Sequence, residues 1–187
     1  MNDSTALPNR RSIRLRAFDY SQRASYFVTI ATHNSKHIFG EIILNQMKLS
    51  RIGQIVSECW TEIPDHFPAI VLGESIVMPN HIHGVIVIRA RARHAVPLQS
   101  QAESVEAFGR PRVASIPTVV RSFKSAVSLR ARKALAQPTM QVWQRNYFER
   151  VIRGEREFSK VRKYILQNPA RWEWEKAAFN DTYDFDK

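Results

Sequence analysis

The sequence predicts a single α+β domain of ferredoxin-like type, an antiparallel sheet of four to five strands with helices packed on one face. Three observations predict it. A chain of 187 residues with 44% hydrophobic content can bury one compact core. Its β-branched and aromatic runs alternate with segments whose apolar residues recur every three or four positions. The resulting order is strand, hairpin, helix, strand, strand, helix, helix, with no internal repeat.

Residues 1–24 are polar and arginine-rich, including Arg14 and Arg16, and read as a basic N-terminal arm. Residues 26–32 form a β-branched and aromatic strand. A strand pair follows over 37–49, with its turn near Asn45 and Gln46. Ser50 suits a helix N-cap, and Ile52, Ile55, Val56, Cys59, Trp60 and Ile63 recur at helical spacing until Pro64 and Pro68. Residues 70–77 and 82–88 are two more strands, joined through Pro79 and Asn80.

At about 90–115 the composition shifts to Arg, Ala, Gln, Ser and Pro, and a flexible insertion is expected. Ser115 and Pro117 then open a helix whose apolar stripe is Val119, Val120, Phe123, Val127, Ala131 and Ala134. Residues 142–148 are short and extended. A last helix spans about 155–168 and ends where Pro169 disfavours α conformation in its predecessor. The domain is therefore expected over 25–175, with a tail at 176–187.

The formal charge is +11 and the pI about 10.3, which favours an acidic polymer as partner, nucleic acid before membrane. Cys59 stands alone, so disulfides and thiolate zinc sites within one chain are excluded. No stretch approaches the roughly 18 apolar residues of a membrane helix, and the N-terminus lacks an apolar signal region. A soluble cytoplasmic protein is the expectation.

Residues 78–83 read Met-Pro-Asn-His-Ile-His at the head of a Val and Ile run. Side chains on a strand alternate faces, so His81 and His83 point together while Ile82 enters the opposite layer. One such histidine is ordinarily a core residue satisfied by backbone. Two on one face are harder to satisfy without a ligand, and neutral imidazoles are half of a metal site. A third ligand must come from elsewhere.

The last helix offers candidates. Phe158, Val161 and Ile165 mark its buried face, Tyr164 lies at the edge of it, and Asn168 follows one turn later. The plain alternatives are a tyrosine packing its ring on the core rim and an asparagine terminating a helix before proline.

The strings VMPNHIHGVIVI, PTVVRSFKSAV, VWQRNYFERVIRGEREF and KYILQNPARW resemble the REP-associated tyrosine transposases, of the single-tyrosine HUH endonuclease group. The opening segment YFVTIATHNSKHIFGEI is similar to that family's first strand and hairpin. The resemblance runs from about Arg10 to Trp174, interrupted mainly at 89–115. It implies the HUH nuclease fold, with His81 and His83 as metal ligands, Tyr164 as nucleophile and Asn168 as an amide-type third ligand. It further implies Mg²⁺ or Mn²⁺ as cofactor and cleavage of single-stranded DNA beside REP-like hairpins, leaving a 5′-phosphotyrosine and a free 3′-OH. Ligand softness favours Mn²⁺ and cellular abundance Mg²⁺.

Arg121, Lys124 and Arg132 on one predicted helix, with Arg145, Arg150 and Arg153 further on, form candidate phosphate contacts. Trp143 and Tyr147 are candidates to stack on unpaired bases. Two rival readings remain at this point: a non-catalytic binder of structured DNA or RNA, and a phosphodiester hydrolase in which water attacks. Either a monomer or a homodimer is compatible with the sequence.

Overall fold

The structure, a computed structural model, describes residues 24–89 and 115–182. The predicted arm with Arg14 and Arg16, the 90–115 insertion and the end of the tail lie outside the described residues. Four strands, β1 (Ala24–Ala31), β4 (Ile70–Met78), β5 (His81–Ile88) and β6 (Phe148–Ile152), form one antiparallel sheet in the order β4-β5-β1-β6. A separate hairpin pairs β2 (Gly40–Ile43) with β3 (Gln46–Leu49). The helices are α1 (Arg51–Thr61), the short α2 (Ile63–His66), α3 (Ile116–Ala134) and α4 (Gly154–Thr182).

The α+β class and the antiparallel sheet are as expected. Helices, however, cover both faces of the sheet rather than one. Tyr26, Val28, Ile30, Ile82 and Ile86 pack with Trp60 of α1 and with Val119, Phe123 and Val127 of α3. Their alternating neighbours Phe27, Val85 and Val87 pack on the far side with Phe158, Val161, Tyr164 and Ile165 of α4. The cause is visible in β5, which is buried along nearly its whole length and so needs cover on both sides. Gly84 lets α1 approach closely: a Cβ there would lie 2.2 Å from the Trp60 indole. An edge bulge between Leu72 and Ser75 takes up one extra residue of β4.

Ser50 caps α1 as its sequence position suggests. Its oxygen accepts the Gly53 N–H at 3.1 Å, and its hydroxyl donates to the Ile38 carbonyl at 2.7 Å. The hairpin turn falls one residue earlier than predicted, on Leu44 and Asn45, which both take positive φ (51° and 61°). That pair fits a two-residue turn matching the strand twist, although leucine is a poor occupant of left-handed backbone. The predicted α3 stripe is buried through Ala131, whereas Ala134 is exposed. The stretch predicted as extended over 142–148 makes a single bridge, Thr32 with Trp143, and strand β6 starts at Phe148.

Helix α4 does not stop at Asn168. It runs on through Pro169 to Thr182. A proline inside a helix removes one backbone hydrogen bond and crowds the preceding turn. Here both flanks are held by tertiary packing, with Ile165 and Asn168 fully buried before it and Trp172 against the rings of His37 and His81 after it.

Candidate active site around the paired histidines

Strand β5 is hydrogen-bonded on both sides, and its register places Thr29 of β1 opposite His83, with Ala31 opposite His81. Both imidazoles are buried on the α4 face. Their Nε2 atoms lie 2.9 Å apart. Each ring is fixed through its other nitrogen. His81 Nδ1 donates to the Asn80 side-chain carbonyl at 2.6 Å, and His83 Nδ1 meets the Thr29 hydroxyl at 2.8 Å. The first contact leaves His81 Nε2 as a lone pair. The Thr29 hydroxyl can donate to His83 Nδ1, which leaves the His83 proton on Nε2, donating across the 2.9 Å contact to His81 Nε2.

Helix α4 brings Tyr164 onto this pair. Its hydroxyl is 3.5 Å from His83 Nε2, and the two ring centroids are 5.3 Å apart. Phe27 fills the angle between them, stacked on His83 at 5.2 Å and edge-on to Tyr164 at 6.0 Å. One turn beyond Tyr164, Asn168 is 0% exposed, and neither its amide nitrogen nor its carbonyl oxygen has a hydrogen-bond partner among the described residues. An unsatisfied buried amide is costly and in a native protein calls for an explanation.

Burial holds both imidazoles neutral. It pushes the His81 pKa down to about 3, with a smaller contribution from nearby His37. The same cause, assisted by His81, takes His83 well below the ordinary imidazole range. Neutral imidazole is the form that ligates metals.

The donor set suits a divalent cation. Two ligands at right angles with bonds of about 2.1 Å would stand about 3.0 Å apart, close to the observed separation of the ring nitrogens. Among the described residues no group of three His, Cys, Asp or Glu side chains converges. Among the described residues, the unpartnered Asn168 amide is a further group that could serve as a ligand.

Tyr164, His81 and His83 are thus brought together within one chain, and Asn168 shares the face of α4 that carries Tyr164. The candidate phosphate contacts are more scattered. Arg121 and Arg132 belong to α3, on the opposite face of the sheet from the histidines, and Arg132 Nε donates to the Met140 carbonyl. Lys124 turns inward: its ammonium donates to the Gln144 and Arg145 carbonyls at 2.6 and 3.0 Å, and burial lowers its pKa to about 8. Arg145 is exposed beside it. Arg150 pairs across from Phe27, on the α4 side, and is salt-bridged to Glu157, which also accepts the Arg153 backbone N–H at 2.7 Å. Trp143 is engaged by the core: its ring lies against Phe39 and Phe123 and its N–H donates to the Lys124 carbonyl. The Tyr147 hydroxyl donates to Glu149 at 2.7 Å.

Five residues of the site were missed by sequence reasoning: Phe27, Thr29, His37, Asn80 and Trp172. Trp172 carried a signal, because positions 164, 168 and 172 continue one helical stripe. Thr29 carried none without the strand register.

No protein-family model matches the chain. An uncharacterized protein of Haemophilus influenzae is 38% identical over 172 residues, covering 91% of this chain and 93% of that protein. Among solved structures, a REP-associated tyrosine transposase bound to a REP hairpin matches with a TM-score of 0.56 at 14% identity, over 88% of this chain and 76% of that one. The fold is the same.

Proposed function

Because the chain belongs to one family with the Haemophilus influenzae protein and has the fold of the REP-associated tyrosine transposases, we propose that it cleaves and rejoins single-stranded DNA through Tyr164. The observation that carries this reading is the approach of the Tyr164 hydroxyl to His83 Nε2, next to His81 Nε2. A nucleophile and a pair of neutral ligands converge on one point, where a scissile phosphate would sit. The solved neighbour is bound to a REP hairpin, which supports hairpin-flanked DNA as the substrate here.

In this mechanism the Tyr164 oxygen attacks phosphorus, the P–O3′ bond breaks, and the phenolic proton passes to solvent. The departing 3′-oxygen takes a proton from water, and the 5′-phosphate stays on the tyrosine. Attack by a 3′-OH on the phosphotyrosine reverses these steps without ATP, because the phosphodiester bond energy is retained. His81, His83 and Asn168 would hold the cofactor, Mg²⁺ or Mn²⁺. Such a cation neutralises charge developing on the phosphate oxygens. Phe27 and the helix packing fix the phenol, and Thr29 and Asn80 fix the rings.

No helix among the described residues is long and apolar enough to cross a membrane. The net charge of +11 suits a polyanionic substrate. The deciding experiment is incubation with single-stranded hairpin DNA and Mn²⁺, followed by denaturing electrophoresis. A protein–DNA adduct through a 5′-phosphotyrosine is expected. Strand breaks carrying a free 5′-phosphate and no attached protein would instead make it a hydrolase.

A further inference from the structure

Beside the paired histidines lies a cavity of about 830 Å³, between the β2–β3 hairpin and the part of α4 beyond Pro169. Its walls include His37, Leu44, Lys48, Pro79, Pro169 and Trp172. It adjoins the site closely. Pro79 precedes Asn80, which holds His81, and Pro169 follows Asn168. Trp172 forms a common wall, its ring 5.9 Å from His81 and 5.4 Å from His37.

Resting on the strand-transfer reading above, we propose that this cavity receives one unpaired nucleobase of the DNA, adjacent to the phosphate attacked by Tyr164. The volume falls in the range of ordinary ligand pockets. Flat aromatic and proline surfaces suit a π-face, and stacking on such rings tolerates any base. Lys48 at the rim suits a neighbouring phosphate, and the Glu41 carboxylate offers an acceptor to an exocyclic amino group. Leu44 completes the lining on the hairpin side. It lines the cavity from the tip of the β2–β3 hairpin, is 91% exposed, and offers an apolar edge to a base seated there.

The experiment uses hairpin DNAs with 2-aminopurine placed singly along the unpaired flank, bound by the full chain carrying Tyr164→Phe so that the strand stays intact. Quenching at one flank position is expected. Adding Trp172→Ala or Leu44→Asn should abolish that quench and weaken binding roughly tenfold or more. Leu44→Asn guards against misfolding, since asparagine tolerates left-handed backbone at an exposed turn. Absence of a quench at every position, or a quench that survives both substitutions, would overturn the cavity assignment even if the wild-type chain forms its adduct. A quench that depends on Trp172 and Leu44 without any wild-type adduct would uphold the pocket and overturn strand transfer.

Discussion

The Tyr164 hydroxyl reaches to 3.5 Å from His83 Nε2 within a single chain, although 81 positions separate the two residues. On the strand-transfer reading, this contact predicts a site that works in cis. Tyr164→Phe should lower adduct formation by about three orders of magnitude or more while leaving the far-UV circular dichroism unchanged. Mixing Tyr164→Phe with His83→Ala protein should not restore activity. Recovery in the mixture would mean that the helix of one copy serves the histidines of another.

Asn168 is expected to trade stability for ligand binding. Replacing its unpartnered amide by an apolar side chain of similar size, as in Asn168→Leu, removes buried polar groups that lack hydrogen bonds. The metal-free variant should gain about 1–3 kcal/mol of stability. The rise in Tm that Mn²⁺ confers on the wild type should shrink. Calorimetry with and without Mn²⁺ checks both halves, and a metal-free Tm below that of the wild type would refute the first.

Thr29 orients His83 from the neighbouring strand. Thr29→Val keeps the shape and removes the hydroxyl. Mn²⁺ affinity, measured by titration calorimetry, should fall roughly 10–100-fold, the usual cost of losing such a supporting bond. An unchanged affinity would show that the ring is held by packing alone.

The neutral buried imidazoles set a pH dependence of stability. An unfolded histidine titrates at about 6.5, whereas His81 in the fold titrates at about 3 and His83 is shifted the same way. Within that window the unfolded chain takes up protons that the folded chain refuses, so stability rises with pH. Their contribution is complete above about pH 6.5 and is lost as pH falls toward about 3, on the order of a few kcal/mol. Urea unfolding over this range should show a steeper fall for the wild type than for His81→Asn/His83→Asn.

Much of the site could be read before any coordinates, because it rests on two local periodicities. The period of two puts His81 and His83 on one face, and the helical step of four aligns Tyr164 with Asn168. What could not be read depends on relations between elements. Thr29 meets His83 only because β1 lies next to β5 in a particular register. Cover on both faces follows from a strand buried at nearly every position, which the expectation of a one-sided sheet overlooked. Trp172 was hidden by the rule that a proline ends a helix, a local preference outweighed here by packing on either side of Pro169. The cations of α3 are candidate phosphate contacts as members of a charge cluster, yet the sheet stands between them and the histidines.

The placement of the histidines on β5 has a mechanical consequence. That strand is laced to β1 on one side and β4 on the other, so the backbone that carries the imidazoles cannot shift without breaking a ladder of hydrogen bonds. Helix α4 is tied to the sheet through side chains. If the chain transfers DNA strands as proposed, the opening that admits and frees the strand is expected in the helix, with amides of α4 exchanging faster than those of β5. The immobile half of the centre would bind the phosphate, and the half that moves would deliver and withdraw the attacking oxygen.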